Sequence, residues 1–246
     1  MTIEGKSLRR RERLELSLPT RVHCRESLDH QWVELTRLMD VTPFGARFSL
    51  SRPTEGGRLL HMTLPMPRQL RCFDHVEQQY KVWALVRFVR AMAEKEAELP
   101  RFEVGVAFIG KRAPASYDLD PSQRYEVARS IAETGLWSLQ EIHEARHVPS
   151  NEPRPETRHN IPVEVKLDIF DEKGAIALSE TSVTENISRR GAAVFTSLNV
   201  ANGRFVRLTS SQYNLSITAV VRASRTGADG INRLHLEFIG QDWPLG

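Results

Sequence analysis

The sequence predicts an all-β chain of two small antiparallel domains joined by a mainly helical linker. Three observations predict it. Short segments with apolar alternation, β-branched or aromatic in part and closed by Pro, Gly or Asp, recur in the first and last parts of the chain. A stretch of different composition separates those parts. The two strand-rich parts also carry the same short motifs in the same order, which marks an internal repeat.

The first part reads as strands at Glu15–Cys24, Trp32–Leu38, Ala46–Leu50, Leu59–Leu64, Tyr80–Val89 and Val104–Ile109. Strands of this length and spacing suit a small barrel or a sandwich. Ala91–Leu99 breaks the pattern and reads as a helical or loop insertion. Asp120-Pro121 then offers a capping Asp with Pro at a first helical position. Tyr125, Ala128, Ile131 and Ala132 fall on one helical face, and Leu136–His147 reads as a second helix. Asn151–Pro155 is a Pro-rich linker, after which strand patterns return at Ile161–Phe170, Ala175–Val183, Ala192–Thr196, Phe205–Thr209, Leu215–Ala223 and Leu234–Ile239. The expected units are 7–113, a linker at 114–151, and 152–243.

Composition narrows the function classes. The chain has 246 residues, 40% hydrophobic and 26% charged, which is ordinary for a globular protein. Lys and Arg number 34 against 31 Asp and Glu, a net charge of +3. That is too small for bulk nucleic-acid binding, and strand aromatics are not clustered for stacking single strands. Only six of the basic residues are Lys, so any anion site is built from local Arg, whose planar fork suits phosphate and guanine edges. Two cysteines, Cys24 and Cys72, exclude a disulfide scaffold and a Cys-rich zinc site. No apolar signal segment opens the sequence, and its longest uncharged runs, Gly191–Gly203 and Leu208–Val221, are too short for a spanning helix. A cytoplasmic protein is the expectation.

The repeat is specific. Arg9-x-x-x-Arg13 is matched by Arg154-x-x-x-Arg158, and Asp40-x-Thr42-x-x-Gly45 by Asn186-x-Ser188-x-x-Gly191. Arg13 precedes Asp40 by 27 positions and Arg158 precedes Asn186 by 28. Both parts end on a similar strand, VGVAFIG at 104–110 and LHLEFIG at 234–240. Taken singly, Arg9–Arg13 reads equally as a solvated basic tail, and the Asp, Asn and Gly positions as ordinary turns. Their joint spacing, twice over, is what carries weight.

On these motifs the chain resembles the PilZ domain family, present twice, with Thr42 standing where Ser is usual. The resemblance covers roughly four-fifths of the chain. It implies two six-stranded antiparallel β-barrels that bind cyclic di-GMP, a bacterial second messenger. It assigns Arg9, Arg13, Asp40, Thr42 and Gly45 to the ligand in the first domain, and Arg154, Arg158, Asn186, Ser188 and Gly191 in the second.

The ligand's chemistry agrees with those residue types. A guanine presents N7 and O6 as paired acceptors, which one forked Arg satisfies together. Its N1–H and N2–H₂ donors need an oxygen such as that of Asp40 or Asn186. Gly45 and Gly191 would permit a positive φ or a close approach to ligand. The arginine pairs precede the first strand of each domain, so the expected device is an arm that folds over the ligand and changes contacts with a partner. Arg189 and Arg190 lie inside the second motif, where the first has Pro43 and Phe44. The second site should therefore show the steeper salt dependence. No enzymatic chemistry and no cofactor beyond the ligand are expected. The output protein is not named by the sequence; the 120–147 segment is the expected place for it or for self-association, and a monomer and a homodimer both stay open. The competing reading is a protein-interaction adaptor in which one or both barrels bind no nucleotide.

One motif points elsewhere. His143-Glu144-Ala145-Arg146-His147 has the H-E-x-x-H pattern of a zinc protease helix. Arg146 beside the metal position and Val148-Pro149 directly after the second His count against it, as does a linker that holds the nearest third ligands, Glu152 and Glu156. A polar helix end is the expectation there, with no metal.

Overall fold

A computed structural model of the chain describes residues 17–92, 101–131, 137–142 and 157–245. The first barrel is built from β1 (Pro19–Arg25), β2 (Gln31–Thr42), β3 (Gly45–Leu50), β4 (Leu59–Leu64), β5 (Tyr80–Ala91) and β6 (Phe102–Gly110). They close in the order β1-β2-β3-β6-β5-β4. A four-residue helix α1 (Ser116–Leu119) and a hairpin of β7 (Tyr125–Ile131) and β8 (Trp137–Glu141) follow. The second barrel comprises β9 (Glu164–Phe170), β10 (Ile176–Ile187), β11 (Gly191–Thr196), β12 (Phe205–Ser210), β13 (Leu215–Thr226) and β14 (Asn232–Ile239), closed in the equivalent order. Both barrels are antiparallel throughout and six-stranded, as expected.

Alternation builds each core. Val22 and Cys24 of β1, Val82 and Ala84 of β5, and Val104 and Phe108 of β6 point inward and are fully buried. Val165, Leu167, Val206, Leu208, Ile217 and Leu234 do the same in the second barrel. Closure leaves no free sheet edge in either barrel.

Among the described residues the helical linker is not found. Where helices were expected over 120–147, β7 and β8 pair antiparallel across Tyr125–Glu141 and Val127–Leu139. Asp120-Pro121 does not open a helix. Asp120 Oδ1 instead accepts from the Ser122 backbone N–H at 2.9 Å and its hydroxyl at 2.6 Å, closing an Asx turn. Tyr125 N–H then bonds Gly57 O at 2.9 Å, which fixes the strand against the first barrel. Tyr125 and Val127 alternate, and with Leu139 they pack on Leu59, Leu85 and Tyr117. That tertiary cluster outweighs weak helical periodicity; each fully buried side chain of this size contributes about 1.5–3 kcal/mol. Residues 143–147, with the H-E-x-x-H pattern, lie outside the described residues, as does most of the Ala91–Leu99 insertion.

The barrels meet through a buried ionic layer. Arg58 is fully buried, with Nε 2.9 Å from Glu55 and its terminal nitrogens on Glu26 O at 3.0 Å, Pro121 O at 3.3 Å and Gly203 O at 2.7 Å. Glu55 also receives both terminal nitrogens of Arg222 from β13, one of them at 3.0 Å. Burial opposes the Glu55 charge, but Arg58 and Arg222 outweigh it and hold its carboxyl below the ordinary Glu value. Glu26 accepts from Trp32 Nε1 at 2.8 Å and from the Phe205 backbone N–H at 3.3 Å. Burial raises the Glu26 carboxyl despite Arg204, whose Nε lies 3.3 Å away. Among the described residues no helix is long and apolar enough to cross a membrane.

Candidate functional site

The two motifs occupy the same place in their barrels. β2 meets β3 across Asp40–Arg47, Val41–Ala46 and Thr42–Gly45, and β10 meets β11 across Asn186–Ala193 and Ile187–Ala192. In each case one extra residue bulges just before the motif, Met39 in β2 and Glu185 in β10. A bulge re-aims the side chain that follows it, which here is Asp40 or Asn186.

The hydroxyls close the turns. Thr42 Oγ1 accepts from the Phe44 backbone N–H at 3.2 Å and donates to Gly45 O at 3.3 Å. Ser188 Oγ donates to Gly191 O at 3.2 Å, and its backbone N–H reaches the same carbonyl at 2.8 Å. Neither Gly45 nor Gly191 has a positive φ. Their task is space: a Cβ on Gly45 would fall 2.3 Å from Val106 O, and one on Gly191 2.4 Å from Leu236 O. The motif glycine thus lets one strand lie close against another.

The arginine arms are described only in part. Arg9, Arg13 and Arg154 lie outside the described residues. Arg158 is described and exposed. The next residue, His159, forms an isolated bridge with Ile187, N–H to O at 2.8 and 2.9 Å. That antiparallel bridge sets the Arg158 backbone opposite Ser188, with Asn186 opposite Asn160. Arg189 and Arg190 are exposed, and the Arg190 carbonyl accepts from Phe238 N–H at 2.8 Å as the Phe44 carbonyl does from Phe108 N–H at 2.7 Å.

Asp40, Thr42 and Gly45 line a cavity of about 320 Å³ together with Phe44, Arg47, Arg87, Phe88 and Val127 of β7. Asp40 is buried there, and Arg47 holds it. Arg47 Nε lies 2.7 Å from Asp40 Oδ2, and a terminal nitrogen lies 2.9 Å from Glu103 Oε1. The hydrogen bonds to Glu103 and Asp40 raise the Arg47 pKa. The sequence reading missed Arg47 and Glu103. Their signal lay in parity, because Arg47 alternates with the buried Ala46 and Phe48 and so faces outward beside Asp40.

The second barrel has different chemistry at the matching positions. Ala193 stands for Arg47, since Ala193 pairs with His235 as Arg47 does with Gly105. Arg233 stands for Glu103, because Phe195–Arg233 matches Ser49–Glu103. Arg233 bonds Glu185 at 2.6 Å and Asp229 at 2.7 Å. Asn186 is half-buried, and no hydrogen bond holds its amide among the described residues. Arg87 and Arg222 are both the extra residue of a bulge, in β5 and β13 respectively. Arg87 lines the first cavity, whereas Arg222 crosses to Glu55 and also bonds Glu237 at 2.6 Å. No group of three or more His, Cys, Asp or Glu among the described residues is placed to hold a metal ion.

Comparison with known proteins places one part of the chain. Residues 150–242, the second barrel with its preceding arm, match the PilZ domain model. No curated protein matches the chain. Among solved structures, it is similar to the Bacillus subtilis inhibitor of motility (MotI/DgrA), at 12% identity over 92% of this chain and 88% of that one, with a TM-score of 0.28. It is also similar to Borreliella burgdorferi PlzA in complex with c-di-GMP, at 10% identity over 96% and 90%, TM-score 0.29. Escherichia coli YcgR in complex with c-di-GMP is 11% identical over 91% and 76%, TM-score 0.29.

Proposed function

We propose that the chain is a cytoplasmic bacterial receptor for cyclic di-GMP, non-enzymatic, which passes ligand binding to a partner protein. The observation that carries this reading is that the PilZ match over 150–242 contains Arg154, Arg158, Asn186, Ser188 and Gly191 at the family's spacing. The antiparallel bridge at His159 supports it by setting Arg158 opposite the motif residue Ser188. In this reading Arg154 and Arg158 take the phosphates and the guanine N7/O6 edge, and the Asn186 amide oxygen accepts from guanine N1–H or N2–H₂. The arm that carries the arginines orders over the ligand, and the ordered surface is what a partner reads. Arg9, Arg13, Asp40, Thr42 and Gly45 form the corresponding first site.

Titration calorimetry of the full chain with cyclic di-GMP tests it. Arg158→Ala should weaken the second site by about 1–3 kcal/mol, the usual worth of one guanine-reading Arg. Affinity at the second site should fall more steeply with salt than at the first. Absence of heat from the wild-type chain would reject the receptor. The second reading, an adaptor in which one barrel binds no nucleotide, is favoured for the first barrel by the hold of Arg47 on Asp40.

A further inference from the structure

We propose that Arg47 is a built-in occupant of the first barrel's ligand position, so that the second barrel fills before the first. This rests on the receptor reading above. The group that would accept from guanine in the first barrel is the Asp40 carboxylate, whose side chain is only 5% exposed and carries Arg47 Nε at 2.7 Å. The same guanidinium is fastened at its other end to Glu103, itself 12% exposed, at 2.9 Å. A guanine reaching Asp40 must displace Arg47 from a buried carboxylate, and an unpaired buried charge is costly. All three groups belong to one wall: Asp40 and Arg47 line the cavity, and Glu103 is two residues before Gly105, which lines it as well.

The second barrel lacks this device. At the three matching positions it has Asn186, Ala193 and Arg233, so Asp⁻/Arg⁺/Glu⁻ is replaced by neutral/neutral/Arg⁺. Arg233 is itself held by Glu185 and Asp229, so what changes at the acceptor is the loss of its Arg partner. Replacement of Pro43 and Phe44 by Arg189 and Arg190 adds two exposed cations to the second motif. A dianionic ligand meets an oxygen acceptor already paired in one barrel, and in the other a neutral amide with Ala193 where Arg47 would stand.

The test uses calorimetry of the full chain with cyclic di-GMP. Arg158→Ala with Asn186→Ala silences the second site and isolates the first. In that background Arg47→Ala should tighten the first site by about tenfold or more, the worth of one charge-assisted hydrogen bond no longer displaced. Arg47→Met keeps the aliphatic stem and should give the same gain, which guards against a folding defect in the alanine variant; circular dichroism checks both. Adding Asp40→Ala to Arg47→Met should remove the gain, because the acceptor is then gone. Unchanged or weaker first-site binding in both Arg47 variants, with the second site of the wild type active, overturns the ordering alone. No heat from wild type or any variant overturns the receptor reading and the ordering together.

Discussion

Arg58 and Arg204 are the same residue of two barrels. Each directly follows a glycine of positive φ, Gly57 at 89° and Gly203 at 82°, and each immediately precedes the fourth strand of its barrel. Both turn into one interface, where Arg58 donates to Gly203 O at 2.7 Å and Arg204 lies 3.3 Å from Glu26. The repeat thus supplies the docking surface from the same loop twice. Arg222 adds a clamp on Glu55 that links the bulge of β13 to the first barrel.

Arg58→Ala should be strongly destabilising. It would leave Glu55 with a reduced counter-charge inside the interface and three backbone carbonyls without their donor. Breaking a buried pair from one side costs on the order of 3–5 kcal/mol. Thermal denaturation should show a large loss of stability. A melting temperature within a degree of wild type would mean that the ionic layer does not hold the barrels together.

Acid should loosen the same layer through His30. Burial lowers its pKa to about 4, helped by Arg204 and Arg52 and opposed by Asp171; Glu26 lies 3.7 Å from its Nε2. A depressed folded value means that the folded state binds fewer protons than the unfolded chain between the ordinary 6.5 and 4. The His30 contribution is therefore whole above about pH 6.5 and is lost as pH falls toward 4. Its full size is about 3 kcal/mol at 1.36 kcal/mol per unit. Glu26 works in the opposite direction, since its raised carboxyl gains a proton more readily in the folded state. Denaturant titrations of wild type and His30→Gln across pH 7 to 4 separate the two. The wild type should lose more stability on acidification than the variant, and parallel profiles would remove His30 from the account.

The fold was largely legible because alternation and repeat are local signals. Leu59–Leu64 was read residue for residue, and the other strands differ from their expected bounds by a few positions at the ends. The linker was misread because Asp120-Pro121 is as good an Asx turn as a helix start. What decided it, Tyr125 against Gly57 and Leu59, is contact across 66 positions or more that no local pattern shows. At the candidate site the sequence showed that Asp40, Thr42 and Gly45 belong to one turn, but not the charges set around them. Arg47 sits seven residues after Asp40, but Glu103 is 56 residues from Arg47 and joins it only when β3 lies beside β6.

The motif glycines give the sharpest test of what part of the motif is scaffold. Gly191 has no room for a methyl group, with Leu236 O 2.4 Å from the Cβ position, and its backbone is not left-handed. Gly191→Ala must therefore push β11 away from β14, a form of overpacking that costs about 1–3 kcal/mol. Gly45→Ala should do the same to β3 and β6 through Val106 O at 2.3 Å. Gly56 is the control: nothing lies within 4 Å of its Cβ position and its φ is ordinary, so Gly56→Ala should leave stability nearly unchanged. Chemical denaturation of the three variants, without ligand, reads the difference. Equal midpoints for Gly191→Ala and Gly56→Ala would show that the glycine serves the ligand and not the strand crossing.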